Sequence, residues 1–130
     1  MIYLTQKEIL LIHSIVIDET GGSHGLRDRH AISILGNLPR QRFGGHELYK
    51  TIFEKAAVYA RNIIMGHPFV DGNKRTGMTA ALVFLENNGY QITLKEGEIK
   101  KFALKIIKDR LEIKAIARWL KANSRKIKKK

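Results

Sequence analysis

Apolar residues in this chain recur at three- and four-residue intervals between abrupt stop signals, a pattern that specifies helices and leaves little room for sheet. Thr5 and Glu8 have the spacing of a capping box, which predicts a helix starting near Gln6. Ile9, Leu10, Ile12, His13, Val16 and Ile17 give that helix an apolar face, and Gly21-Gly22-Ser23 ends it. A second, short helix is expected from about Asp28, a candidate N-cap, to Leu35. Pro39 and the pair Gly44-Gly45 mark a loop or short hairpin between about 36 and 48. A third helix should cover Thr51 to Met65, with Ile52, Ala56, Tyr59, Ala60, Ile63 and Ile64 facing inward and Gly66 breaking it. A fourth should run from Asn73 to Asn87 with Met78, Ala81, Leu82 and Leu85 as its stripe, stopped by Asn88-Gly89. Tyr90 to Leu94 reads as a short extended piece. Two further helices fill about Glu96–Lys108 and Glu112–Ala122, with Trp119 and Leu120 packing on the bundle. The expected fold class is all-α: a compact single-domain bundle of six helices over residues 1–124, with a basic, flexible tail at 125–130.

A chain of 130 residues suits one domain with one core. It contains no cysteine, which excludes disulfides and thiol chemistry. No apolar run approaches the span of a bilayer and no leader is visible, so a cytoplasmic location without membrane contact is expected. The net charge of +12 is unevenly distributed. Residues 1–94 hold 10 Lys/Arg and 8 Asp/Glu, whereas residues 95–130 hold 14 and 4. A local basic surface of this kind suits an acidic partner, a nucleotide or nucleic acid. Without aromatic interleaving or a recognisable motif, the linear pattern argues against a nucleic-acid reader.

The joint between the third and fourth helices carries the chemistry. Pro68 disfavours a helical backbone at His67, so the histidine should stand at an end or bend, where it can present its imidazole to a cleft. Phe69 is apolar in a polar loop and should plug inward. Asp71-Gly72-Asn73 then leads into a helix whose first turn has unpaired N–H groups and a positive dipole end, a ready anion site. Gly72 permits close backbone approach to a ligand. Lys74 and Arg75 follow in the first turn, where each cation costs roughly a few tenths of a kcal/mol against the dipole. That conflict is understandable if an anion sits there. Asp71 could hold Mg²⁺ bridging substrate phosphates. One loop thus offers a base, a metal carboxylate, an anion hole and two cations, the parts that phosphoryl transfer needs.

The run His67-Pro68-Phe69-Val70-Asp71-Gly72-Asn73-Lys74-Arg75-Thr76-Gly77-Met78 resembles the motif of the Fic/Doc superfamily, H-P-F-x-D/E-G-N-G-R-x-x-R. The opening Met1–Thr5, the stretch Gly21–Asp28, Phe43–Gly45 and Ala80–Gly89 are similar to the death-on-curing (Doc) branch. The resemblance covers most of residues 1–90 and implies a Fido fold. Two positions depart from the usual motif. Lys74 stands where the adenylyltransferases have glycine, and Met78 where they have a second arginine; both departures resemble Doc. A lysine at that place would crowd the pose in which AMP is transferred. The resemblance therefore implies a toxin kinase that moves the γ-phosphate of ATP to a threonine of elongation factor Tu, with AMP transfer or a non-catalytic basic module as the alternatives. It implies His67 as general base, Asp71 as Mg²⁺ ligand, Gly72, Asn73, Lys74 and Arg75 as phosphate contacts, and Pro68 and Phe69 as structural. Arg27 is a further phosphate contact on this reading, or else a partner of Asp28 or another acid. The loop around Phe43–Leu48 takes the place of the flap that holds the target as an added strand. No inhibitory S/T-x-x-x-E-G/N helix is present, so the resemblance implies control by a Phd-like antitoxin with an acidic tail.

Overall fold

A computed structural model describes residues 1–128. Six helices make up most of it: α1 (Gln6–Thr20), α2 (Arg29–Leu35), α3 (Ile52–Gly66), α4 (Asn73–Asn87), α5 (Glu96–Lys108) and α6 (Ile113–Ala122). Strands β1 (Arg42–Phe43) and β2 (His46–Glu47) form a small antiparallel hairpin after a single 3₁₀ turn at Leu38–Arg40. Strands β3 (Tyr90–Ile92) and β4 (Ser124–Lys126) form a second antiparallel pair. The architecture is the all-α bundle expected.

Local signals explain most boundaries. Thr5 caps α1 through a complete capping box with Glu8, and Thr51 caps α3 through another with Glu54. The Asp28 carboxylate accepts from Ala31 N at 3.0 Å and caps α2, so it is engaged by its own helix. The third helix extends one residue further than expected: Gly66 is its last residue, and the left-handed turn falls on His67.

α3 is the axis of the molecule. Residues Lys55 to Ala60 are all buried, which identifies a helix surrounded by others. Its principal partners are α4 and α6. Gly77 on α4 permits the first contact: a Cβ there would lie 2.7 Å from Ile64 Cγ1 and 3.0 Å from the Ala60 carbonyl. On the far side, Ile116 and Leu120 of α6 are buried, and Trp119, half-exposed, stacks on Phe102 of α5 at 3.9 Å. The N-terminus is tied in by Tyr59, whose hydroxyl accepts from Leu4 N at 3.0 Å; burial pushes that phenol up to about 12.

The basic tail expected from 125 onward is different at its start. Arg125 and Lys126 belong to β4, paired with Gln91 and Tyr90, and Ile127 N donates to the Gly89 carbonyl. The backbone groups of that strand find partners in β3, which outweighs the mutual repulsion of the side chains. Lys129 and Lys130 lie outside the described residues.

Lys55 is the buried cation of the core, at 1% exposure. Its Nζ donates to the carbonyls of Pro39 (3.2 Å) and Tyr49 (2.6 Å) and to Glu47 Oε1 (3.0 Å), satisfying all three protons. One side chain thereby fastens both ends of the β1–β2 hairpin to α3. The hydrogen bond and charge of Lys55 hold the Glu47 carboxyl below its usual value. Its folded-state pKa is the depressed one, so this contribution is complete above pH 4.5 and is lost as pH falls through the folded value. Lys55→Met should cost about 1–3 kcal/mol, because it leaves the carbonyls of Pro39 and Tyr49 without their donor, and should lower the urea midpoint accordingly. An unchanged midpoint would show that the hairpin is held by other contacts.

Candidate active site

The joint between α3 and α4 is six residues long and is fastened at almost every one. His67 caps α3 with φ 48° and ψ 54°, its N–H donating to the Ile63 carbonyl. The left-handed region is uncommon for a residue other than glycine, although histidine is among the types enriched there. Pro68 follows and turns the chain out of the helix. Its carbonyl accepts from Arg27 N (2.8 Å) and Asp28 N (3.0 Å), and Val70 N donates to the Gly25 carbonyl (3.0 Å). The joint is thus laid against the segment 25–28 as a short antiparallel bridge centred on Leu26 and Phe69.

Phe69 is fully buried and stacks on His13 of α1 at 3.7 Å, with the rings 6° from parallel. The same imidazole reaches the Asp71 carbonyl with Nε2 at 2.8 Å. A carbonyl only accepts, so Nε2 carries the hydrogen. Asn73 completes the fastening from the other side. Its Oδ1 accepts from Phe69 N (3.1 Å) and its Nδ2 donates to the Phe69 carbonyl (2.9 Å).

Gly72 caps α4 in the left-handed region, with no side chain covering the helix end. A Cβ on it would come within 2.9 Å of Ile17 Cδ1, the movable end of a side chain, so it is the left-handed conformation that calls for glycine. Thr76 N donates to the Gly72 carbonyl, the first bond of the helix, which leaves the amides before it without an intrahelical partner. A cavity of about 670 Å³ opens beside this first turn. Gly72, Asn73, Lys74 and Arg75 form one wall, and the opposite wall comes from α5, including Glu96 and Lys100. Deeper in, Met78, Leu82, Ile99 and Ala103 make it apolar. Arg75 donates to Glu19 Oε2 at 2.8 Å and lies 3.3 Å from Glu96 Oε1, spanning the mouth between α1 and α5.

The residues singled out from sequence fall into two groups. Gly72, Asn73, Lys74 and Arg75 line the cavity. His67, Asp71 and Arg27 are exposed and lie along the joint beside it, not among the lining residues. Asp71 Oδ2 accepts from Ser23 N at 2.7 Å, which fixes the carboxylate toward the Gly21–Ser23 turn. Arg27 is attached to the joint by its backbone, and among the described residues it forms no ion pair with Asp28. The Asn73 amide is engaged with Phe69, so a phosphate would meet the backbone of this residue. Pro68 and Phe69 are buried. Sequence reasoning missed His13, Ser23, Glu19 and Glu96. The available signal for His13 was a polar side chain between Ile12 and Val16 on a buried helix face; the other three offered none.

The model of the Fic/DOC family matches residues 3–85. The chain is 34% identical over 93 residues to the protein kinase doc of Escherichia phage P1, an alignment covering 71% of this chain and 72% of that one. It is 33% identical over 90 residues to the toxin Doc of Mycolicibacterium smegmatis, covering 69% and 67%. The chain belongs to the Fic/DOC family.

Asn73→Ala leaves the buried amide and carbonyl of Phe69 unpaired, at a cost of about 2 kcal/mol. Hydrogen exchange at the Phe69 amide should then quicken by roughly tenfold or more while the amides of α6 keep their protection. Uniform loss of protection would instead mean that Asn73 supports the whole fold.

Proposed function

We propose that this chain is a Doc-type toxin kinase that transfers the γ-phosphate of ATP to a threonine hydroxyl of a translation factor, elongation factor Tu, and so stops translation in the cytoplasm. The observation that carries the reading is the first turn of α4, glycine-capped and open, lining a cavity together with Lys74 and Arg75. Free amides, a dipole end and two cations at one place suit a triphosphate. Arg75 already holds two carboxylates at the cavity mouth, which marks its guanidinium as placed for an anion.

His67 stands at the C-terminal end of α3, held in its left-handed turn and exposed. It would accept the proton of the target hydroxyl as the hydroxyl oxygen bonds to the γ-phosphorus and the bond to ADP breaks. Gly72, Asn73 and Lys74 would contribute amides to the phosphates. Lys74 and Arg75 would add charge, and Arg27 would be a further contact from the bridge beside Pro68. The single exposed carboxylate of Asp71, oriented by Ser23 N, fits a Mg²⁺ that takes its other ligands from phosphate and water. When bound, that ion would supply positive charge to neutralise phosphate. Lys74 lines the cavity, and on the resemblance a lysine at this place would crowd an α-phosphate, which supports transfer of the γ-phosphate over AMP. The β1–β2 hairpin, with Phe43 80% exposed, offers the target an edge on which to add a strand. A Phd-like antitoxin with an acidic tail would complement the basic C-terminal third.

Incubation of elongation factor Tu with the protein and Mg-ATP labelled at the γ position should transfer label, and α-labelled ATP should not. His67→Ala should slow transfer by about 10²–10⁴-fold with helix content unchanged. Label arriving from the α position would assign AMP transfer instead, and full toxicity of His67→Ala would remove the enzymatic reading altogether.

A further inference from the structure

The end of α3 farthest from His67 carries a second concave surface. A groove of about 570 Å³ opens there between the first turn of α3, strand β3 and α6. Phe53 and Tyr90 form its floor, edge to face with centroids 5.1 Å apart. Both rings are half-buried. Lys114, Arg118 and Lys121 of α6 stand along one side. Their spacing places them on one helix face, in steps of about 6 and 5 Å along the axis. Tyr90 is directly opposite Lys126 across the β3–β4 pair, so those two side chains emerge on the same face of the ribbon. The strand adds a fourth cation beside the ring.

Among the described residues, no ion pair takes up this charge: no carboxylate lies within ion-pair distance of Lys114, Arg118 or Lys121. The acid in the lining is Glu54, whose Oε1 is engaged by Thr51 N in the cap of α3. Glu112, at the start of α6, is paired with Arg61 at 3.5 Å. Like charges four and three residues apart weaken a helix, and α6 has only ten residues to absorb the repulsion. A polyanion along that face removes the conflict. The floor narrows the choice of polyanion: aromatic faces bordered by cations suit stacked bases with flanking phosphates. The aromatic interleaving absent from the linear sequence is supplied by folding, because Phe53 and Tyr90 come from elements distant in the chain from α6.

We infer that this groove is a second binding site, remote from the α3–α4 joint, and that it takes single-stranded nucleic acid. One or two bases stack on Tyr90 and Phe53, while neighbouring phosphates lie along Lys114, Arg118 and Lys121, with Lys126 at the edge. The inference does not depend on the phosphoryl-transfer reading, since the site lies at the other end of α3.

Fluorescence anisotropy of the full chain with short labelled oligouridylate and oligothymidylate tests it. Binding should show a log–log salt slope of about −2 to −3, as for three or four neutralised phosphates on a single strand. The exposed triple variant Lys114→Gln/Arg118→Gln/Lys121→Gln should bind at least tenfold more weakly with a flatter slope. Lys101→Gln/Lys105→Gln/Lys108→Gln, equal in charge change but on α5, should stay within twofold. Tyr90→Ser should weaken binding by about tenfold through lost stacking, with Lys126→Gln as a milder probe that leaves the floor intact. Tighter binding of one oligonucleotide would identify RNA or DNA as the preferred source of the strand. No binding by the native chain, equal losses in both triple variants, an unaffected Tyr90→Ser variant, or equal competition by polyglutamate, anionic vesicles or duplex would each overturn the proposal.

Discussion

His67 is held in a backbone conformation that it would leave if released. A left-handed turn on a residue with a Cβ costs about 1–2 kcal/mol. Against that cost stand the paired hydrogen bonds between Asn73 and Phe69, the bond from His13 to the Asp71 carbonyl, and the stack of His13 on Phe69. Each bond contributes about 1 kcal/mol and the stack about 0.5–1.5 kcal/mol, so the fasteners exceed the strain. The joint is therefore fixed before any ligand arrives. Fixed donors and cations at a helix end need no rearrangement as charge develops near them, and that is the condition under which such groups act most strongly.

The same joint concentrates positive charge where the α4 dipole is already positive. Lys74 and Arg75 both stand in the first turn, and the protein answers with carboxylates from two other helices, Glu19 of α1 and Glu96 of α5. The exposed ion pairs themselves contribute little to stability. Their consequence is positional: the guanidinium is kept across the cavity mouth. The family match ends at residue 85, whereas α5 begins at Glu96. The matched segment includes the joint and the cavity wall on α4, and the facing wall on α5 lies beyond it.

What could be read from the sequence was local. Thr5 with Glu8, Asp28, Pro68 and Asn88-Gly89 act on neighbours within a few residues, and each boundary they set is where the pattern placed it. The motif His67–Arg75 marked the joint and its open helix end for the same reason. The holding of that joint was not legible. His13 and Asp71 are 58 residues apart, and Arg75 and Glu19 are 56 apart. No spacing rule connects such pairs until the helices are packed. The amide of Asn73 illustrates the difference. From sequence it is a phosphate donor at a helix start, but in the fold its nearest polar partners are the buried backbone groups of Phe69, which must be satisfied first. Strand β4 was hidden likewise, because a run of lysine and arginine carries no strand signal and its partner lies in β3.

Packing also divides the basic charge of the C-terminal third into parts that work separately. Lys100 faces the cavity beside α4, whereas Lys114, Arg118 and Lys121 face the groove beside the first turn of α3. α3 has 15 residues, so its ends are about 20 Å apart. At physiological salt the screening length is about 8 Å, and exposed charges at that separation scarcely feel one another. An anion held at one end would leave the electrostatics of the other nearly unchanged. Any coupling between them would have to pass mechanically through α3, whose residues from Lys55 to Ala60 are buried and fixed between α4 and α6. A close-packed rod of that kind transmits a shift only if its neighbours move with it. Anions held at the two proposed sites would therefore bind independently, not as ligands of one charge surface.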